Sequence, residues 1–152
     1  MKIYILLLFI FLPILSFAQL KGKVIKVADG DTFTILTENK EQVKIRLFGI
    51  DCPESKQDYG TKEKQHVSDL CFGKEVYIEE KGKDRYKRTL GIAYVDTINI
   101  NESLLKCGLA WHYRRYYDSK EYAELEQQAR KSKINIWSMK EPVAPWIHRK
   151  KK

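Results

Sequence analysis

The sequence predicts an α+β domain: a small closed antiparallel β-barrel with helices packed on it. Three observations carry this expectation. Five short runs alternate β-branched or aromatic residues with polar ones, and the stronger helical segments follow them instead of interleaving with them. The chain also has the length of one ordinary domain, enough to bury a real core without metal or disulfide staples.

The elements follow in chain order. Met1-Lys2 gives a charged start, Ile3 to Leu15 an apolar run broken only by Pro13, and Ser16-Phe17-Ala18 a small-x-small end. Residues 1–18 therefore read as a signal peptide, too short for a spanning helix, with Gln19 as the new terminus. The expected product is secreted or periplasmic. Lys23 to Ala28 and Asp31 to Thr37 read as two strands joined at Asp29-Gly30, a dipeptide suited to a tight hairpin turn. In Gln42 to Leu47 the alternation is strict, so Val43, Ile45 and Leu47 share one face and Lys44 and Arg46 the other. Glu75 to Glu79 and Thr89 to Val95 complete the five strands. Helices are expected at Thr61 to Cys71, ended by Gly73; at Asn101 to Cys107, capped by Asn101 and stopped by Gly108; and at Asp118 to Lys133, opened by the capping-box spacing of Asp118 and Glu121.

These assignments give one folded domain over residues 19–146 and a basic C-terminal tail over 147–152, read as a solvated end. Without Lys2 the chain carries 27 Lys and Arg against 20 Asp and Glu, a net charge of +7. That balance favours a polyanionic partner, although Arg149 to Lys152 supply four of the charges. The three cysteines, Cys52, Cys71 and Cys107, match no zinc spacing and read as small buried hydrophobes. Export would permit one bridge, with Cys52 to Cys71 the pairing considered.

Acidic groups concentrate at two points, Asp29-Gly30-Asp31-Thr32 and Asp51-Cys52-Pro53-Glu54. Each alone is ordinary turn chemistry. If the first three strands form a meander, however, Asp31 and Asp51 lie at connections of neighbouring strands and can meet at one end of the barrel. Carboxylates with no histidine beside them suit a hard cation, Ca²⁺ or Mg²⁺. Arg46 on the intervening strand suits a bidentate contact to phosphate. Lys83 to Arg88 is a second basic cluster, which by itself reads as a solvated turn.

The string Val27-Ala28-Asp29-Gly30-Asp31-Thr32, then Arg46-Leu47 with Asp51-Cys52-Pro53-Glu54, then Asp84-Arg85-Tyr86-Lys87-Arg88 with Leu90, resembles the thermonuclease (staphylococcal nuclease-like) family. Gly108-Leu109-Ala110 and Asn135-Ile136-Trp137 resemble its late helical segments, so the likeness spans nearly all of the chain after residue 18. The resemblance implies an OB-fold, a five-stranded antiparallel β-barrel with three α-helices, and a calcium-dependent endonuclease that hydrolyses phosphodiester bonds of DNA and RNA; a monomer is expected.

It also implies roles. Asp31 and Asp51 match the calcium carboxylates, and Cys52 falls where a backbone carbonyl reaches the ion. Glu54 matches the carboxylate that orients or deprotonates the attacking water. Arg46 and Arg88 match the guanidinium groups that clamp the phosphate, while Tyr86, Tyr113 and Tyr116 match tyrosines near the nucleotide. Two residues depart from the family pattern: Cys52 replaces a threonine, and Lys87 replaces a glycine. If the turn keeps a positive φ, lysine there costs about 1 kcal/mol. The competing reading is a non-catalytic OB-fold module that binds nucleic acid; it needs the aromatic and basic groups but not the full set of carboxylates.

Overall fold

The structure is a computed structural model and describes residues 19–151. The proposed signal peptide lies outside the described residues. β1 (Leu20–Asp29), β2 (Thr32–Leu36) and β3 (Gln42–Leu47) form an antiparallel meander, and Asp29 pairs with Thr32, so the tight loop is Gly30-Asp31. A two-residue strand, β4 (Ile50–Asp51), leads to α1 (Gly60–Cys71). β5 (Glu75–Lys83) then pairs with β1, and β6 (Thr89–Val95) with β5. After β7 (Ile98–Asn99) and α2 (Ile100–Lys106) come β8 (Trp111–His112), paired with β4, and α3 (Lys120–Lys131). A short fourth helix, α4 (Pro145–His148), was not expected from the sequence. Among the described residues no helix is long and apolar enough to cross a membrane.

The barrel closes where β3 meets β6, with Ile45 opposite Thr89 and Leu47 opposite Gly91. This seam is parallel, so the barrel is mixed where a wholly antiparallel one was expected. The reason is parity. Strand direction alternates along β3-β2-β1-β5-β6, and a ring of five cannot alternate all the way round. One parallel seam is forced, and it falls between the two ends of the series.

Alternation fills the barrel as the sequence implied. Phe33, Ile35, Ile45, Leu47, Val76, Ile78, Ala93 and Val95 are buried in one core, which α1 extends with Val67 and Cys71 and α2 with Leu104 and Leu105. All three cysteines are free, Cys52 and Cys71 both buried, in keeping with small hydrophobes and against the bridge between those two.

Two helix starts differ from expectation. Asn99, not Asn101, caps α2 by accepting from the Glu102 N–H (3.2 Å). Asn101 instead lies buried, donating to the Phe48 carbonyl (2.9 Å) and accepting from the Ala93 N–H (3.1 Å). Its amide ties α2 to β6 and to the residue after β3, so tertiary bonding outweighs a local cap. Ser119, not Asp118, caps α3 through the Tyr122 N–H (3.3 Å).

The segment before the basic tail folds back onto the domain, and of the tail Ile147, Arg149 and Lys150 stay exposed. Trp146 stacks on Tyr113 (centroids 5.0 Å apart, planes 3° apart) and meets Trp111 edge-on at 5.7 Å. The Val143 carbonyl accepts from the Gln57 amide (3.1 Å). Ala144 and Pro145 are buried beneath this contact.

Candidate active site

The β1–β2 loop carries Asp31, β3 carries Arg46, and β4 carries Asp51 with Cys52 directly after it. Antiparallel pairing of β2 with β3 sets Thr32 opposite Arg46, so Asp31 sits at the mouth of the strand that bears the arginine. Arg46 shares a strand with the core residues but faces away from them. It is nonetheless largely covered, because both carboxylates close over it. Its Nη2 lies 3.0 Å from Asp31 Oδ2 and 2.9 Å from Asp51 Oδ1. Nη1 donates to the carbonyls of Leu47 (2.9 Å) and Ile50 (3.0 Å), which fix the guanidinium plane. The Cys52 N–H donates to Asp31 Oδ2 (2.9 Å), and the Thr32 hydroxyl donates to Asp31 Oδ1 (3.0 Å).

Glu54 stands at the same opening, half-buried, with its backbone N–H held by the Gln57 side chain (2.9 Å). The structure therefore brings Asp31, Arg46, Asp51, Cys52 and Glu54 together. Arg88 is adjacent but occupied. Its Nε donates to Asp84 Oδ2 (2.8 Å), while its Nη1 lies 3.4 Å from the Thr32 hydroxyl that bonds Asp31. Lys87 has φ 61°, so the turn keeps the left-handed conformation that its position implied. Asp84 holds that turn by accepting from the N–H groups of Tyr86 (2.9 Å) and Arg88 (3.0 Å).

The tyrosines are less converged. Tyr86 is 64% exposed and lies under the guanidinium groups of Arg85 (4.7 Å) and Arg88 (5.5 Å). Tyr113 and Tyr116 pack edge-to-face at 4.8 Å beyond β8, and no side-chain bond joins either to the carboxylates among the described residues.

Three residues escaped the sequence reading. Arg149 donates to Asp51 Oδ2 and Glu54 Oε1, each at 2.7 Å. It was assigned to the solvated tail. The clue was Trp146, an aromatic anchor among basic residues. Asp84 is the resting partner of Arg88. Glu63 is fully buried on α1 with neither carboxylate oxygen bonded, and it packs so closely on the β1–β2 loop that a Cβ on Gly30 would lie 1.3 Å from its Oε2. Its spacing from Val67 and Cys71 puts it on the helix's apolar stripe, a signal present in the sequence.

Charge at this end of the barrel is unbalanced toward the negative. Burial, then the Asp31 charge, pushes Asp29 up to about 7; burial, then Asp31 and Asp29, pushes Glu63 up to about 9. Burial also raises Asp51, with Asp31 adding and the Arg149 hydrogen bond opposing. For Arg46, burial acts to lower the pKa, but Asp31 and Asp51 outweigh it and hold it above its ordinary value. Burial likewise keeps the Cys52 thiol protonated, so its side chain is no thiolate ligand.

This donor set fits a hard divalent ion. Asp31 and Asp51 already present oxygens to one positive atom, Arg46 Nη2, and the surrounding excess of carboxyl groups favours added positive charge. Among the described residues no three His, Cys, Asp or Glu side chains converge as a preformed metal cage. Two carboxylates would thus leave coordination positions for backbone, water and phosphate oxygens.

The family described as staphylococcal nuclease homologue matches residues 44–139, which include Arg46, Asp51, Glu54 and Arg88. The chain belongs to the staphylococcal nuclease family. An uncharacterized endonuclease of Escherichia coli O157:H7 is 41% identical over the whole of both chains. Another from Haemophilus influenzae is 39% identical over 93% of this chain and 79% of its own. A micrococcal nuclease of Shigella flexneri is 37% identical over 89% of this chain and 83% of its own. This member of the family is a nuclease, a hydrolase whose substrates are nucleic acids.

Proposed function

We propose that the chain is an exported, calcium-dependent endonuclease that cleaves phosphodiester bonds in both DNA and RNA and works as a monomer. The observation that carries this reading is the convergence of Asp31 and Asp51 on Arg46, with Glu54 at the same opening. Export rests on the charged start, the apolar run and the Ser16-Phe17-Ala18 end, and it places the enzyme outside the cell or in a periplasm.

In this reading Asp31, Asp51 and the Cys52 carbonyl hold calcium, which supplies charge stabilisation and a template for the phosphate. Were both carboxylates to hold an ion, Arg46 Nη2 would lose its two acceptors, while the Leu47 and Ile50 carbonyls would still fix Nη1. The guanidinium then presents a free edge to a phosphate oxygen without losing its orientation. Arg88 turns from Asp84 to the same phosphate. Tyr86, Tyr113 and Tyr116 lie where sugar and base contacts are needed. Glu54, at the same opening, is the carboxylate left to handle water. Its task is to align the attacking water and take its proton as the new bond to phosphorus forms, while the opposite P–O ester bond breaks and the leaving oxygen takes a proton from solvent. Most of the acceleration comes from positive charge around the developing five-coordinate phosphorus and from in-line placement of water.

The test is digestion of single-stranded DNA and RNA by protein beginning at Gln19, with calcium or with a calcium chelator. Cleavage of both polymers that stops with chelator is expected, and cleavage that persists refutes the metal assignment. Glu54→Gln is expected to bind oligonucleotide while losing turnover by ~10²-fold or more. Undiminished turnover removes Glu54 from the chemistry.

A further inference from the structure

Arg149 is placed by packing, not by chance contact. Trp146, fixed against Tyr113 and Trp111, sets the direction of the turn that follows α4, and that turn points Arg149 at the carboxylates. Its two terminal nitrogens make 2.7 Å contacts with different acids, Nη1 with Glu54 Oε1 and Nη2 with Asp51 Oδ2. Asp51 consequently has a guanidinium against each oxygen, Arg46 on Oδ1 (2.9 Å) and Arg149 on Oδ2 (2.7 Å), with a longer contact of 3.4 Å from Arg149 Nη1 to Oδ1. Glu54 has Arg149 as its charged partner among the described residues. Arg149 thereby aligns the water-handling carboxylate with an ion-holding one, and it sits on the acid that calcium needs.

We propose that Arg149 is a working residue of this nuclease, which holds Glu54 and Asp51 in register at rest and passes to a nucleic-acid phosphate on binding, freeing Asp51 for calcium. This inference rests on the calcium-dependent reading above. Its consequence is a coupling. With no phosphate at hand, calcium must displace a guanidinium from Asp51 and meets its charge at close range. Once a phosphate engages Arg149, that opposition is gone. Calcium and nucleic acid therefore strengthen each other's binding, by equal factors.

The surroundings support a phosphate as the second partner. Asp51 is the register partner of Trp111, and Trp111 lines a groove of about 790 Å³ that also includes Tyr113, Trp146, Arg114, Arg115 and Lys150. The groove is thus joined to the carboxylate end through Trp111, and its lining sets these cations and aromatic faces beside Glu124 and Glu126. A strand running along it would lay bases against the rings and phosphates beside Arg114, Arg115 and Lys150, the last of these next in the chain to Arg149.

The experiment measures calcium binding by calorimetry on protein beginning at Gln19, which carries every described element. It is done alone and with a mononucleotide, a phosphate ligand with no phosphodiester to cleave. In the wild type the mononucleotide is expected to tighten calcium binding about 5-fold or more, the range typical of coupled sites. Arg149→Ala is expected to bind calcium alone about 5-fold or more tighter and to lose most of that coupling. Its KM for single-stranded DNA should rise at the same time. Opposite movements of calcium affinity and KM are not what a loosened fold produces. Arg149→Lys, which keeps charge without the two-armed fork, should fall between. Unchanged or weaker calcium binding in Arg149→Ala overturns the proposal. If the wild type itself binds no calcium and cleaves in chelator, the calcium reading fails instead.

Discussion

Exchanging Glu63 for glutamine keeps the length of the side chain and removes its titration. In the folded protein this carboxyl is fully buried without a hydrogen-bond partner, and burial with the charges of Asp31 and Asp29 pushes it from 4.5 to about 9. Between those two values the native chain holds a proton that the unfolded chain has released. Stability is therefore lost as pH rises through that interval, and the loss levels off above it. At about 1.4 kcal/mol per pH unit, the wild type forgoes roughly 3 kcal/mol at pH 7, and under 1 kcal/mol at pH 5. Glutamine escapes this loss but buries amide donors with no acceptor, at about 1–3 kcal/mol. Glu63→Gln should thus be the less stable protein near pH 5 and the more stable one by pH 8.5. Urea titrations at pH 5, 7 and 8.5 in calcium-free buffer measure the difference directly. A difference that does not change with pH refutes the reasoning, because it would mean that Glu63 is ionised in the native state.

Two other substitutions test parts of the frame around the site. Lys87→Gly removes the Cβ penalty at φ 61° and should raise stability in denaturant titration by up to about 1 kcal/mol, with the Asp84 contacts retained. A loss of stability there contradicts a strained turn. Asn101→Ala leaves the buried Ala93 N–H and Phe48 carbonyl without this partner and should cost about 2–4 kcal/mol. A cost under 1 kcal/mol would show that α2 is held by its apolar side chains alone.

The barrel was legible where one face of a strand is apolar and the other polar, as in Gln42 to Leu47, because period-two burial writes itself into residue order. Its parallel seam is not a property of any segment; it follows from an odd number of alternating strands closing a ring. The convergence of Asp31, Asp51 and Arg46 was legible because a meander brings its connections together. The site's resting partners were not legible in the same way. Arg149 is 98 residues from Asp51, and a basic residue near a terminus carries no local sign that it is paired. Asn101 shows the converse error: its local cap pattern was real, but two buried backbone groups on other elements claimed its amide. Glu63 was the recoverable case, since a carboxylate in register with Val67 and Cys71 conflicts with its own helix face.

At rest each group assigned to the phosphate or the water is held by an internal counter-charge: Arg46 by Asp31 and Asp51, Arg88 by Asp84, and Glu54 by Arg149. Breaking the buried Arg46 pairs with nothing to replace the lost partner costs about 3–5 kcal/mol, and the more exposed Arg88 and Arg149 pairs cost less; trading one partner for another of like charge avoids most of either penalty. A divalent cation arriving alone can replace arginines on Asp31 and Asp51, but it strands their guanidinium groups. A phosphate arriving alone can receive the arginines, but it strands the carboxylates. Only the two together satisfy both sides, since the cation takes the acids while the phosphate takes the arginines. On the proposed calcium-dependent reading, the resting ion pairs disfavour half-assembled sites, and the active arrangement would form when cation and nucleic acid are both present.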